Sequence, residues 1–200
     1  MPTFLHVGCG GKRKAQTTRG FAASEWIEIR FDVDPAVKPD ILGSMLDMSG
    51  IADASVDAVY SSHNLEHLQA HEVPRALREF LRVLRPEGFL VITCPDLQAI
   101  AALVADDKLT ETIYHSPAGP ITPLDVLYGF GPALAAGNQY MAHRTGFTLR
   151  TLIAALRQSG FSSAIGYRQP ANAYALWGIA TKQTQPEPSL RALAAEHFPR

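Results

Sequence analysis

Short apolar runs that break on turn residues recur along this chain, with long connections between most of them. Thr3 to Val7 runs into glycines, Trp26 to Phe31 runs into Asp32-Val33-Asp34-Pro35, and Val56 to Ser61 follows an acidic turn. Runs of this length bounded by Gly, Asp and Pro predict buried strands. Between His71 and Arg85 the period changes: Val73, Leu77, Phe80, Leu81 and Leu84 recur at helical spacing, Pro74 stands where a first turn tolerates it, and the segment stops before Pro86-Glu87-Gly88. Phe89 to Thr93 is the next strand candidate. Thr148 then caps a helix that turns Leu149, Leu152, Ile153 and Leu156 inward and ends at Gly160. Two strands follow, about Ser162 to Arg168 and Tyr174 to Thr181. Strands joined through helices build βαβ units, so the chain reads as α/β: a mostly parallel sheet covered on both faces. Only Gln169, Pro170, Ala171 and Asn172 join the last two strands, too few for a crossover, so that pair is expected to be antiparallel.

Composition suits one such domain. The 200 residues are 46% apolar, with 18 basic and 19 acidic side chains and a formal charge of −1. A chain this long buries roughly 70% of its unfolded surface, and this composition excludes disordered, collagen-like and coiled-coil classes. The balanced charge provides no field for a polyanion, so non-specific DNA binding is not expected, while a nucleic-acid substrate gripped by a local patch stays open. The longest apolar runs, such as Ala99 to Ala105, fall far short of the ~20 residues of a membrane span, so no membrane is expected. MPTFLHVGCGG has no positive stretch ahead of its apolar residues and reads as a first strand rather than a leader. Cys9 and Cys94 lack CxxC or Cys/His zinc spacing, which predicts a cytoplasmic protein with no metal.

Two regions depart from the rhythm. Residues 106 to 146 surround the segment Ser116-Pro-Ala-Gly-Pro-Ile-Thr-Pro123 and are expected to form a partly helical insertion after the fifth strand, acting as a lid or substrate segment. The main domain is expected over 1 to 182. Residues 183 to 200 read as a linker, Gln183 to Pro188, and a short helix capped by Ser189 and ending near His197.

Gly8-Cys9-Gly10-Gly11 directly follows the first strand, where missing side chains let backbone amides approach a ligand at the sheet edge. Asp32 lies 22 residues after Gly10, at the end of the second strand, and can accept bonds from ribose hydroxyls. The pair points to an adenosine-containing ligand, although a glycine turn by itself also serves as a tight turn. Arg13 stands where the GxGxxG fingerprint has its third glycine, and Lys12 to Gly20 is too polar for an amphipathic helix, which disfavours a dinucleotide oxidoreductase.

LHVGCGG, EIRFDVDP, Asp47-Met48 in SMLDMSG, SVDAVYSSHNLEHL, LREFLRVLRPEGFLVITCPD and FTLRTLIAALRQSGF occur in one order from about Phe4 to Lys182. Together they resemble the class I S-adenosylmethionine-dependent methyltransferases with HxLEH and RVLxPxG signatures. The resemblance implies a three-layer sandwich around a Rossmann-like sheet of order 3-2-1-4-5-7-6 with strand seven antiparallel, and S-adenosyl-L-methionine as cofactor. It places Gly8 and Gly10 at the methionine portion, Asp32 at the ribose, Asp47 and Met48 at the adenine, and Ser61 to Asn64 beside the methyl-transfer site, with Cys9 and Val33 also among the cofactor contacts. His6 departs from the family, many of whose members carry an acid there. In that strand order a Cys9–Cys94 disulfide is implausible, because two strand spacings of ~4.8 Å exceed the ~7 Å limit between bridged Cα atoms.

His63 is the candidate general base, since an imidazole pKa of ~6.5 suits proton removal near neutrality, with His143 second. Asn64, Tyr114, Tyr128 and Arg144 are the candidate acceptor contacts, with His115 beside them; for His143 and Arg144 hydrogen bonds that tie down the loop are an equal alternative. His63-Asn64-Leu65-Glu66-His67 also fits the H-x-x-E-H pattern of zinc peptidases. Those require two histidines on one face of a long helix, and the helical pattern here starts only near Glu72, so Glu66 and His67 are read as structural. Lys12, Arg13, Lys14 and Arg19 form a basic run that is either solvated or holds an anionic substrate. Eight acids against two bases from Glu25 to Asp57 suit a cationic sulfonium. The expected activity is methyl transfer to an O, N or C nucleophile of a small molecule. The alternatives are a non-catalytic S-adenosylmethionine-binding protein and, more remotely, a zinc hydrolase built on His63 and His67.

Overall fold

The computed structural model describes residues 1–169 and 173–199. Its central sheet uses β1 (Thr3–Val7), β2 (Ile27–Asp32), β3 (Ile41–Leu42), β4 (Val56–Ser62), β5 (Leu84–Pro95), β8 (Ser163–Arg168) and β9 (Ala175–Thr181), while β6 (Tyr114–Ser116) and β7 (Gly119–Ile121) pair only with each other. The helices are α1 (Arg19–Ala22), α2 (Val73–Val83), α3 (Leu97–Ala105), α4 (Pro123–Tyr128), α5 (Gly131–Ala135), α6 (Leu149–Gln158) and α7 (Glu187–His197).

The seven-stranded sheet has the order β3-β2-β1-β4-β5-β9-β8, with β9 antiparallel to both of its neighbours. Skipping the small hairpin, this is the expected 3-2-1-4-5-7-6. Residues 170 to 172 of the short connection on which the antiparallel expectation rested lie outside the described residues. The parallel β1–β2 and β1–β4 pairs bring the ends Val7, Phe31 and Ser61 into register, which gathers the glycine turn, Asp32 and the end of β4 at one edge. β4 separates β1 from β5, and Cys9 and Cys94 are free, buried thiols.

Alternation along the strands divides the core. Leu5, Val7, Val59, Leu90 and Ile92 face one layer with α2 and α6, through Leu77, Phe80, Leu152 and Leu156. Phe4, Ala58, Tyr60, Phe89 and Val91 face the other, where Phe21 and Leu190 complete a second cluster. The period-two pattern of a strand sends successive side chains to opposite faces, so both faces need cover.

Local structure departs from the sequence reading in three places. β5 begins at Leu84 and runs through Pro86-Glu87-Gly88, because buried Leu84 pairs with Val56 ahead of a register shift that absorbs the turn residues. The insertion contains the β6–β7 hairpin across the Pro-Ala-Gly-Pro stretch as well as α4 and α5. Helix α7 starts at Glu187 with Pro186 at its N-cap, so Ser189 lies inside the first turn, where Pro188 is tolerated and Glu187 pairs with Arg191.

Candidate cofactor and acceptor site

At the end of β1 the chain turns through two left-handed glycines, Gly8 at φ 63° and Gly10 at φ 51°, a conformation open to residues without Cβ. Gly8 also lies against Asn64: a Cβ built on it would sit 2.0 Å from Asn64 Oδ1. Asp32 is almost buried; its Oδ2 accepts the Gly10 N–H at 2.8 Å and its Oδ1 accepts the Asp34 N–H at 2.9 Å. A carboxylate has about four acceptor positions, so each oxygen retains one for a further donor such as a ribose hydroxyl. Val33 beside it is 44% exposed, an apolar surface at the strand ends.

Arg30 holds this turn together, and the sequence reading missed it. Its guanidinium is buried and donates to the carbonyls of Gly10, Lys12, Val37 and Lys38, which joins the glycine turn to the loop after β2. Its place inside a strand, in phase with Glu28 and Asp32 and alternating with Ile29 and Phe31, was the available signal. His6 is buried, and its Nδ1–H donates to Glu28 Oε1 at 2.7 Å, with burial lowering its pKa. Of the basic run, Lys14 Nζ donates to the Ala23 and Trp26 carbonyls and Arg19 to that of Ala195, while Lys12 and Arg13 are exposed.

Other predicted cofactor residues separate. Asp47 is exposed and its Oδ1 accepts the Ser49 N–H, whose hydrogen bonding lowers the pKa of its carboxyl. Met48 is 1% exposed with its side chain in the core, and Ser61 is buried beneath Asn64. Cys9 is likewise buried, with its thiol pushed up to about 11 by burial, which leaves only its backbone for a ligand.

On the acceptor side, His63 adopts φ 55°, uncommon for a residue with a side chain. Its N–H donates to the Thr93 carbonyl while its ring is 46% exposed, so the chain leaves β4 abruptly and presents the imidazole at the sheet edge. Asn64 spends both amide hydrogens on the carbonyls of Val7 and Ser62 and on Ser61 Oγ, which makes it a clamp between β1 and β4 with no free donor for an acceptor. Leu65–His67 is a single 3-10 turn. His63 and His67 therefore share no helix face, and the peptidase arrangement does not form.

The insertion docks on that turn. Arg144 and Thr145 donate backbone N–H groups to the Glu66 carbonyl, at 2.7 and 3.2 Å, and His67 Nδ1 donates to the Ala142 carbonyl at 3.1 Å. His143 Nδ1 donates to the Val126 carbonyl at 2.7 Å, and burial lowers its pKa. The rings of His67 and His143 meet edge to face at 4.9 Å. Between the insertion and the end of β5 lies a cleft of about 220 Å³ lined by Glu66, Leu97, Val126, Tyr128, His143 and Arg144. Thus His143, Arg144 and Tyr128 come together with Glu66, which sequence reading treated as structural. Tyr114 lies elsewhere in the insertion, stacked on Tyr174 at 6.4 Å.

Residues 5–92 match the family model described as a methyltransferase domain. No curated protein matches the chain. Solved structures similar to it include an S-adenosylmethionine-dependent methyltransferase from Thermotoga maritima, 14% identical over 92% of this chain and 83% of that one, TM-score 0.59. The 1,6-didemethyltoxoflavin-N1-methyltransferase of Burkholderia thailandensis, solved with 1,6-didemethyltoxoflavin and S-adenosylhomocysteine, is 16% identical over 92% of this chain and 72% of that one, TM-score 0.59. An S-adenosylmethionine-dependent methyltransferase from Methanosarcina mazei is 13% identical over 90% of this chain and 92% of that one, TM-score 0.58. At such identities the likeness shows the fold, which is that of the class I methyltransferases.

Proposed function

We propose that this protein is an S-adenosylmethionine-dependent methyltransferase acting on an O, N or C nucleophile of a small-molecule acceptor. The observation that carries the reading is the joint placement of Gly8, Gly10 and Asp32 where β1 and β2 end in register, inside the segment 5–92 that matches the methyltransferase domain. When bound, the cofactor would supply a methyl group on a sulfonium sulfur, a good leaving group because it departs as a neutral thioether. The chain supplies position. The glycine turn lets backbone approach the methionine portion, the remaining acceptor positions of Asp32 suit the ribose, and exposed Val33 offers an apolar face to the adenine. Aligning acceptor and methyl can lower a barrier by up to ~7 to 11 kcal/mol. Where the accepting atom carries a proton, His63 at the sheet edge takes it, with Tyr128 and Arg144 orienting the acceptor in the cleft.

The test is calorimetric titration with S-adenosylmethionine and S-adenosylhomocysteine. Micromolar binding that the Asp32→Ala variant loses, with its circular dichroism unchanged, supports the reading; no binding of either ligand by the parent protein sinks it. In the same series His63→Ala is expected to lower turnover while keeping cofactor affinity.

A further inference from the structure

We propose that Glu66, His67 and His143 form a binding site for a divalent transition-metal cation in the wall of the acceptor cleft. One ligand atom from each lies within 4.8 Å of the others. Two of these residues come from the turn after β4 and the third from the insertion, so the tertiary fold alone assembles the set.

The Glu66 side chain is 1% exposed, and neither carboxylate oxygen has a hydrogen-bond partner among the described residues. His63 Nδ1 approaches Oε1 only to 3.3 Å, without hydrogen-bond alignment. A buried carboxylate is costly unless something offsets its charge. The charge-bearing side chains that act on it are the imidazoles of His63, His67 and His143, with the buried Cys94 thiol also near. The His67 and His143 rings are prepared as ligands: each Nδ1 faces a backbone carbonyl, that of Ala142 for His67 and that of Val126 for His143. A carbonyl only accepts, so Nδ1 carries the proton and Nε2 keeps its lone pair. Metal-ligating histidines characteristically donate their second nitrogen in this way.

Two imidazoles and one carboxylate suit zinc, manganese or iron(II) and leave coordination positions open. A tetrahedral site with bonds of about 2.1 Å spaces its ligands ~3.4 Å apart, so binding draws the three side chains inward and ties the insertion to the end of β4. Glu66 and His143 line the cleft, and a cation between them is open to it. Resting on the methyltransferase reading, this names the acceptor class: a small molecule that presents an oxygen ligand, such as a hydroxyl whose ionisation the cation favours. The site departs from the sequence reading, which assigned no metal.

The experiment is titration of metal-stripped, full-length protein with zinc chloride, manganese chloride and magnesium chloride, followed by calorimetry and thermal melting. One equivalent of zinc is expected to bind with micromolar or tighter affinity and raise the melting temperature, with magnesium far weaker because it prefers oxygen ligands. Glu66→Gln and, from the less buried insertion, His143→Asn should each weaken zinc by about tenfold or more. Zinc that fails to bind below millimolar concentration, or binds both folded variants as tightly as the parent, overturns the site. S-adenosylhomocysteine titrated into the same stripped protein separates the two readings. Its binding without zinc binding removes the metal and keeps the methyltransferase; zinc binding without it does the reverse.

Discussion

A few side chains at the strand ends hold the candidate site in shape, and each does so through backbone groups. Asn64 spends its amide hydrogens across β1 and β4 while its Oδ1 fills the space beside Gly8, and Arg30 gathers four carbonyls from two loops. Gly8→Ala tests the first arrangement. It places a Cβ at a left-handed φ, worth about 1 to 2 kcal/mol, and displaces Asn64 from its acceptors, about 1 to 3 kcal/mol more. Urea denaturation is expected to show about 3 kcal/mol of lost stability together with weaker S-adenosylhomocysteine binding; a loss below about 1 kcal/mol means that Asn64 moves aside freely. At this scale strand period and turn residues place Gly8, Gly10 and Asp32 at the strand ends, whereas His63 was proposed from the family resemblance. Arg30 and the Glu66 carboxylate were not legible, since their importance lies in what surrounds them.

Among the elements, those with a strong period and a cap were readable. Helix α6 begins as expected: Thr148 Oγ1 accepts the Thr151 N–H, and the Thr151 hydroxyl accepts the Thr148 N–H in return. Thr148→Ala is expected to cost about 1 kcal/mol, read as a lower denaturation midpoint at unchanged slope; an unchanged midpoint means that packing of Leu152 and Leu156 holds the helix start without the cap. The insertion was harder to read, because its prolines and glycines permit a hairpin, helices or loop equally and its partners lie far away in sequence. Its α4 packs on α3, the helix that directly precedes the insertion. The polar first crossover forms only a short helix, α1, as its composition predicts.

That short crossover affects the whole molecule. With only Phe21 from α1 buried on its face of the sheet, the second core layer is completed by the C-terminal helix, which contributes Leu190 and His197. His197 is packed against Phe21 and Phe89, and its Nδ1 lies 2.7 Å from Thr18 Oγ1. Burial, reinforced by the positive charge of Arg19, lowers its pKa to about 4; Glu196 approaches Nε2 only to 4.0 Å. The unfolded chain takes up a proton at this histidine below about pH 6.5 that the folded chain refuses until about pH 4. Its contribution is therefore complete above pH 6.5 and is lost as pH falls toward 4, by about 2 kcal/mol between pH 7 and pH 5. Urea denaturation at those two pH values should show the loss in the parent and a smaller one in His197→Gln; equal slopes assign the pH dependence to other groups. Among the described residues no helix is long and apolar enough to cross a membrane.

The order of apolar runs, turns and caps determined the sheet, its two covered faces and the place of the glycine turn, because periodicity and turn chemistry act over a few residues and need no distant partner. Only the tertiary structure decided that His143 meets Glu66 and His67, that Arg30 joins two loops and that α7 replaces a first crossover helix. Each of these depends on burial. The cost of an unpartnered charge or an uncovered apolar face exists only once water has been excluded from it, and linear order does not specify which groups the chain will bring together there.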